Sequence, residues 1–395
     1  MLNLARSLAS QKLVNLKPKR VHIDNLIFKC HYRATVLLLL IGVALLSSQE
    51  YIGEHIRCIH GDSKLGKVID RFCFFMGTFT VVKHHNRSVS NREIAHPGVG
   101  PYVQKDGEEI IKHIYYQWVI FFLFIQAVFF YTPHLIWREM EKGIMKKLIL
   151  GLNEIKMLNV EEKKKNFHII QNQLKNRLYV NRSWSGYLIF CELLNLINLI
   201  LQIYLTNVFL GYKFWNLGKQ IYWDVKNDEF NPLDVIFPKV TKCSFQKFGP
   251  SGSVQFHDIM CIMALNIVNE KIFIVLWFWY LILFILSVFV LIWRIVSFFM
   301  KNSVSFNDYV FKFTAFSKLN KLHLTTVLHN VSYGEWLFLK YLAGNMNGKM
   351  FNDLLAQLSE SFLRESVSED DDKKILEKKI VEKEKQSSVQ LLLDF

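Results

Sequence analysis

Four long apolar runs are the feature that most restricts what this chain can fold into. Its 33 Phe residues gather with Leu and Ile in a few uncharged runs, at Ala34–Ser48, Tyr115–Trp137, Tyr187–Leu210 and Ile272–Trp293. A helix needs about 20 apolar residues to cross a hydrocarbon layer about 30 Å thick, so the last three runs are long enough and the first is short. The sequence therefore predicts four membrane-spanning helices, the first lengthened by flanking residues at the headgroups.

Aromatic residues mark the ends of these runs. The fourth run carries Trp277, Trp279 and Tyr280 towards one end and Trp293 at the other. Trp and Tyr are enriched where a span meets the membrane interface, so this pattern supports a single crossing of the bilayer.

Lys and Arg are unevenly distributed between the runs. Residues 1–33 contain 7 Lys or Arg against 1 Asp or Glu, and residues 138–186 contain 11 against 5. The counts are 9 against 8 in residues 50–113 and 7 against 6 in residues 211–271. Short cytoplasmic segments are enriched in Lys and Arg, which places both termini and the middle loop in the cytoplasm. Topology thus accounts for the net charge of +14 without a nucleic-acid partner.

The predicted fold class is an all-α membrane protein with two extracellular loops and a helical cytoplasmic region. Its segments are a cytoplasmic N-terminal segment (1–33), first span (34–50), first extracellular loop (51–113), second span (114–137), cytoplasmic loop (138–186), third span (187–210), second extracellular loop (211–271), fourth span (272–294) and cytoplasmic C-terminal region (295–395).

The extracellular loops share four of the six cysteines. Cys58 and Cys73 lie in the first loop, and Cys243 and Cys261 lie in the second. Two cysteines per loop in an oxidising compartment indicate disulfides, and three pairings are open. Bonds from loop to loop are favoured because they would stiffen both loops, which suits a docking surface. The alternative is a stiffened ectodomain without a partner, and the lack of a C-x-x-C pair argues against zinc.

The first loop holds two further candidates. Asn86 begins an Asn-Arg-Ser glycosylation pattern, whereas the similar patterns at Asn181 and Asn330 fall on the cytoplasmic side. A glycan on Asn86 would oppose docking and favour an undocked channel. His84 and His85 could bind a metal, but an exposed pair without a third ligand is more often without function.

Polar residues and a proline interrupt two of the spans. The third span carries a polar face made of Glu192, Asn195, Asn198, Gln202 and Thr206. These residues predict hydrogen bonds between helices, with Gln126 as a candidate neighbour of Glu192, and pore lining is the alternative. Pro133 predicts a kink in the second span, which is either a hinge or a static bend.

The cytoplasmic C-terminal region has two parts. Residues 330–365, with Trp336, Leu337 and Leu339 among polar neighbours, predict small amphipathic helices under the membrane. The charge-mixed C-terminal end predicts a solvated helix or a disordered tail, with a docking element as the alternative.

Short motifs spread over residues 20 to 300 carry a family resemblance. The second span begins with Tyr115, Tyr116, Gln117, Trp118 and Val119 (YYQWV). Other motifs are VxIDNxIF at 21–28, YIGEHI at 51–56, HPGVG at 96–100, FPKVTKC at 237–243, FGPSGS at 248–253 and LNIVNEKIFIVLWFWY at 265–280. Together they resemble the innexins, the invertebrate gap-junction proteins, in their insect-type members. Two cysteines per loop also fit innexins and differ from connexins, which have three.

This resemblance implies a channel subunit. Identical or mixed innexin subunits would form an octameric ring in the plasma membrane, and rings of adjacent cells would dock through the extracellular loops. The pore would pass ions and small molecules passively. The implied disulfides are Cys58–Cys261 and Cys73–Cys243. The N-terminal segment would fold into the pore mouth, with a constriction near Leu2, Asn3, Leu4 and Arg6; from the sequence alone, a membrane-surface helix fits this segment equally well.

The predicted function is therefore a gap-junction channel subunit. The alternatives are an undocked plasma-membrane hemichannel that releases ions or small metabolites, and a four-span adhesion or scaffold protein. An enzyme is not expected, because the sequence contains no nucleotide-binding loop, metal triad or nucleophile elbow, and no cofactor is implied.

Overall fold

The computed structural model describes residues 21–53, 55–60, 65–85, 96–102, 108–155, 182–224, 233–315 and 319–364. In chain order its elements are α1 (Leu26–Ile52), β1 (Arg57–Cys58), α2 (Gly66–Met76), β2 (Thr78–Val81), β3 (Ile110–His113), α3 (Val119–Glu141), α4 (Ile144–Ile155), α5 (Arg182–Phe209), α6 (Leu217–Asp224), α7 (Leu233–Ile236), β4 (Val240–Phe248), β5 (Val254–Ile262), α8 (Ala264–Met300), α9 (Val304–Ala315), α10 (Lys321–His329), α11 (Tyr333–Asn345) and α12 (348–364).

Four of these helices, α1, α3, α5 and α8, are long and apolar enough to cross a membrane, which confirms the four predicted spans. Their bounds differ from the predicted ones. Helix α1 begins at Leu26 and includes a π-helical turn at Cys30–Thr35, and α8 continues to Met300. The reason is that membrane thickness limits the apolar part of a span, whereas the helix itself can continue beyond the bilayer.

The chain folds into two compact units. We call residues 26–136 together with residues 191–291 the sheet unit, and residues 1–25, 137–190 and 292–395 the helical unit. The sheet unit contains the strands and most of each span, and α9 to α12 belong to the helical unit.

A five-stranded antiparallel sheet organises the loops of the sheet unit, in the order β1-β5-β4-β2-β3. Strands β4 and β5 pair along nine residues, from Val240 opposite Ile262 to Phe248 opposite Val254. Strands β2 and β4 are paired at one position, Phe79 opposite Lys242. The first loop thus supplies three strands and the second loop two, an addition to the predicted helices that the sequence analysis did not foresee.

The helical unit has its core around α11. Trp336 is 1% exposed, and its ring stacks with the rings of Phe306 and Tyr333. Its indole Nε1 donates a hydrogen bond of 2.8 Å to Oδ1 of Asn307 on α9. Helix α11 starts where the Glu335 carboxylate accepts a hydrogen bond from the backbone N–H of Ser332. The helices expected between residues 330 and 365 are α11 and α12.

Candidate functional site: the two linked loops

Two disulfides connect the loops of the sheet unit. Cys58 of β1 bonds to Cys261 of β5, and Cys73 of α2 bonds to Cys243 of β4. These are the pairs that the innexin resemblance implies, whereas the sequence alone left three pairings open. The partners are 203 and 170 residues apart in the chain, and all four cysteines are buried. The structure therefore makes the two loops one covalently closed domain.

Helix α2 packs directly onto this sheet. The Asp70 carboxylate accepts a hydrogen bond of 2.8 Å from the backbone N–H of Cys58. The ring of Phe72 meets the ring of Phe245 edge to face, with centroids 5.1 Å apart. These contacts, with the Cys73–Cys243 bond, fix one face of α2, whereas Val68, Phe75 and Met76 of the same helix are exposed.

A buried lysine also joins the loops. Lys242 of β4 is 6% exposed, and its Nζ donates a hydrogen bond of 2.6 Å to the carbonyl of Gly100 in the first loop. The same ammonium group forms an ion pair with Asp258 and lies 5.7 Å from the ring centroid of Tyr102. The buried charge is thus paired and hydrogen-bonded, as burial of a charge requires.

The HPGVG motif makes room for two histidines. A Cβ atom on Gly98, which has a φ of +80°, would lie 2.7 Å from the ring of His85, and one on Gly100 would lie 2.8 Å from the ring of His84. Glycine is needed at both positions because any side chain would collide there. The prediction of an exposed histidine pair is therefore wrong: His84 is 3% exposed and His85 is 8% exposed.

These histidines have structural partners. Nε2 of His84 hydrogen bonds with the carbonyl of Pro101 at 3.0 Å. The Thr80 hydroxyl lies 3.0 Å from Nε2 of His85 and 2.9 Å from Nε2 of His113. A hydroxyl has one proton and two lone pairs, so Thr80 can donate to one neutral imidazole while it accepts from the other.

Burial favours the neutral form of both His85 and His113. It lowers the pKa of His113 to about 4, with smaller effects in the same direction from the charges of Lys213 and His85. Burial, followed by Lys213 and His84, also lowers the pKa of His85. Among the described residues, the cysteines 58, 73 and 261 are the one group close enough to hold a metal, and their sulfurs are in disulfides.

The β4–β5 hairpin exposes an apolar face. Phe248 is 74% exposed, Val254 48% and Phe256 56%. Phe248 pairs with Val254, and Phe256 pairs with Gln246 two residues along β4, so all three side chains lie on the same face. The FGPSGS motif closes this hairpin through a hydrogen bond from Gly249 N–H to the Ser253 carbonyl. Sequence reasoning missed this face, although the turn motif between two aromatic segments is a hairpin signal.

The YYQWV motif connects α3 to its surroundings. The Tyr115 hydroxyl donates a hydrogen bond of 3.0 Å to Oδ1 of Asn266 on α8. The Tyr116 hydroxyl and the Gln117 amide donate hydrogen bonds of 3.1 and 2.6 Å to the carbonyl of Phe74 on α2. Trp118 is 60% exposed, and Val119 is buried. The motif is therefore a hydrogen-bonded connection between the second span and the linked loops.

The polar face of α5 is buried within the protein. Gln126 Nε2 on α3 donates a hydrogen bond of 2.8 Å to Oγ1 of Thr206, and Gln126 Oε1 accepts one of 3.3 Å from the Tyr280 hydroxyl on α8. The expectation that Gln126 lies beside Glu192 is wrong, because Thr206 is about 21 Å further along α5. This geometry favours hydrogen bonding between helices over pore lining.

The π-helical turn of α1 contacts α3 next to Pro133. Helix α3 continues through Pro133, and Tyr32, in the π-helical turn of α1, stacks on His134 with ring centroids 3.7 Å apart. The residues predicted for the constriction lie outside the described residues; they are Leu2, Asn3, Leu4 and Arg6. Asn86 and the C-terminal end also lie outside them.

Comparisons with known proteins agree with this architecture. The innexin family model matches residues 24–362. Innexin inx7 of Drosophila melanogaster is 40% identical over 362 residues, which cover 87% of this chain and 82% of that protein. Innexin inx2 of the same species is 38% identical and innexin inx2 of Schistocerca americana 36%, each over 87% of this chain and over 92% and 94% of those proteins. The chain belongs to the innexin family, whose members are channels, not enzymes, and form gap junctions between cells.

Proposed function

We propose that this subunit forms an octameric ring in the plasma membrane and that two rings in apposed cells dock through the linked loops. The observation that carries this proposal is the β4–β5 hairpin, which presents Phe248, Val254 and Phe256 from a domain closed by two disulfides. The continuous pore formed by the two docked rings would pass ions and small molecules passively between the two cytoplasms.

Three properties of the hairpin suit docking. Its apolar side chains would be covered by a partner, since exposed apolar clusters commonly mark interaction surfaces. Next to them is a cavity of about 520 Å³, whose lining includes Phe79, Tyr102 and Phe248. The disulfides order this surface before contact, so that docking does not have to overcome the entropy of two flexible loops.

The charge distribution and the redox chemistry of the cysteines both support the proposed orientation in the membrane. The excess of Lys and Arg in residues 1–33 and 138–186 supports a cytoplasmic position for both termini and the middle loop. The four loop cysteines are in disulfides, which persist in an oxidising extracellular environment, whereas Cys30 and Cys191 are free thiols. Both arguments therefore support the same topology.

Conduction requires the ring, because spans α3, α5 and α8 of one subunit pack against each other through the buried side chains Gln126, Thr206 and Tyr280 and leave no lumen between them there. In the proposed pore, Leu2, Asn3, Leu4 and Arg6 form the constriction. Arg6→Glu would then shift the permeability towards cations, as measured by reversal potentials in a salt gradient. An unchanged reversal potential would place the constriction elsewhere.

We assign Pro133 to a hinge in the second span. The proline removes one backbone hydrogen bond from α3, and the neighbouring segment of α1 is a π-helical turn, so two weakened helix segments meet at the Tyr32–His134 stack. Pro133→Ala would restore the helix and shift the voltage or rate at which the channel gates. A variant with unchanged gating would make Pro133 a static bend.

The docking proposal is tested with paired cells that both express the protein. Phe248→Ser combined with Phe256→Ser should remove most of the current between the cells and leave surface expression unchanged. Gln255→Ser is the matched control, because Gln255 is exposed between Val254 and Phe256 on β5 and its side chain alternates to the other face. Coupling that survives the double substitution contradicts docking through this face.

The same cells distinguish the undocked hemichannel. This alternative is favoured by the Asn86 glycosylation pattern, because a glycan in the first loop would hinder contact between rings. It predicts dye uptake by single cells together with no coupling in pairs. Asn86→Gln would then create coupling that the unsubstituted protein lacks. Symmetry averaging of detergent-solubilised rings tests the octamer independently.

A further inference from the structure

Helix α9, directly after the fourth span, exposes two large aromatic side chains. Tyr309 is 70% exposed and Phe313 is 71% exposed, and their spacing of four residues places them on one helix face beside the exposed Lys312. The opposite face packs into the helical unit through Asn307, Val310, Phe311 and Ala315. Exposed aromatic clusters of this kind commonly mark interaction surfaces.

The start of α9 lies at the level of the membrane interface. Helix α8 ends at Met300, seven residues or about 10 Å beyond Trp293, the aromatic residue that closes the fourth apolar run. The chain then turns back within three residues, and the Phe306 ring of α9 lies 5.9 Å from the Trp293 ring, centroid to centroid. Because Trp residues at the ends of spans mark the membrane interface, α9 begins beside it.

The end of α8 itself has an apolar outer surface. Four apolar side chains are more than half exposed there: Ile292 (52%), Ile295 (58%), Phe298 (53%) and Phe299 (77%). The apolar outer surface of α8 therefore continues past Trp293. Arg294 is turned the other way: it is 7% exposed and donates a hydrogen bond of 3.3 Å to the Tyr341 hydroxyl within the helical unit. The charged group at this depth is thus removed from lipid, and the exposed surface that leads into α9 is apolar.

We propose that α9 is an interfacial helix whose Tyr309 and Phe313 side chains insert at the boundary between the phospholipid headgroups and the acyl chains. Lipid is the occupant that these observations favour, because the face continues from a helix that already contacts lipid. Tyr suits this depth, since its ring is buried among acyl carbons while its hydroxyl reaches the headgroups. Lys312 adds attraction to anionic headgroups. The helical unit would thereby be attached to the bilayer by α9 as well as by the spans.

The proposal can be tested on the full chain in nanodiscs of phosphatidylcholine and phosphatidylserine. A nitroxide is attached at Phe313→Cys in a Cys30→Ser, Cys191→Ser background, and its collisions with oxygen and with a water-soluble nickel chelate are measured. Labels at Ile285→Cys and Glu360→Cys are the controls, because Ile285 is 58% exposed in mid-span and Glu360 is exposed on α12. We expect the ratio of oxygen to nickel collisions at residue 313 to be several-fold above that at residue 360.

Three results would overturn the proposal or its premise. A ratio at residue 313 equal to that at residue 360 places α9 in water. A label at residue 313 that neither reagent reaches in the assembled ring, and that both reach after the ring dissociates, shows that a second copy covers this face instead. If the label at Ile285 also shows a low ratio of oxygen to nickel collisions, α8 does not span the membrane and the premise fails. If the ratio is high at residue 285 and low at residue 313, the α9 proposal alone is rejected. Coupling between paired cells reports on docking separately.

Discussion

The linked loops and the helical unit are stabilised in different ways. The loops are closed by Cys58–Cys261 and Cys73–Cys243, whereas the part of the helical unit that the structure describes is held by aromatic packing around Trp336 and contains no disulfide. A docking surface must keep its shape before a partner arrives, and covalent closure achieves this. In the proposed topology the helical unit lies in the reducing cytoplasm, which does not favour disulfides, and packing without covalent bonds would be free to rearrange during gating. Each of the following predictions tests this difference.

The largest effect is expected from Cys58→Ser. The Cys73–Cys243 bond lies inside this pair in the chain and remains closed, so loss of the bond to Cys261 opens a loop of only 33 residues, the difference between the separations of 203 and 170 residues. A loop of this length corresponds to about 4 kcal/mol in the chain-entropy description. Coupling between paired cells should be abolished while the protein still reaches the cell surface. Cys30→Ser is the matched control, because Cys30 is a free thiol and its removal should leave coupling intact. Coupling that persists in Cys58→Ser would show that docking does not need a covalently closed loop domain.

The second prediction concerns acid. The pKa of His113 is about 4 in the folded protein and 6.5 when unperturbed, so between these values the unfolded chain binds a proton that the folded one does not. The sheet unit should therefore have its full stability above pH 6.5 and lose up to about 3 kcal/mol as the pH falls to 4. His85, whose pKa is also lowered, adds to the loss in the same direction.

Hydrogen exchange of the β2 amides, corrected for intrinsic pH dependence, measures this loss of stability. His113→Gln should flatten the pH dependence, and His257→Gln, at an exposed position of β5, should not. A steep acid dependence that survives His113→Gln would assign the effect to other groups.

The third prediction concerns the stability of the helical unit. Trp336→Phe removes the hydrogen bond to Asn307 and part of a buried ring, which should cost about 1–3 kcal/mol. Protease cleavage within α9 to α12 should become faster, and non-reducing gels should show both disulfides intact. Leu322→Ala, at a position 67% exposed, is the control and should leave the cleavage rate unchanged. Equal acceleration of cleavage in the loops would mean that the two regions do not unfold independently.

The sequence predicted the spans better than the loops, for a physical reason. A span is recognisable from one continuous apolar segment, and the polar face of α5 follows from helical spacing alone. The sheet depends on pairs such as Phe79 with Lys242, which are far apart in the chain and form only after the loops meet. The burial of His84 and His85 depended on Gly98 and Gly100, whose role is visible only once the backbone of the HPGVG segment is folded against them.

The smallest expected effect lies within the spans, where neither the disulfides of the loops nor the aromatic packing around Trp336 contributes to stability. Thr206→Val keeps the shape of the side chain but removes the acceptor of the hydrogen bond from Gln126, which should cost about 1 kcal/mol of thermal stability in detergent. Gln126→Leu should cost a similar amount, and the double substitution should cost less than the sum of the two because they remove the same bond. Ile197→Val, a conservative substitution at a position of α5 that is 53% exposed, is the control and should leave the thermal stability unchanged. If Thr206→Val leaves stability unchanged and alters the conductance of single channels, the polar face of α5 lines the pore instead of joining the helices.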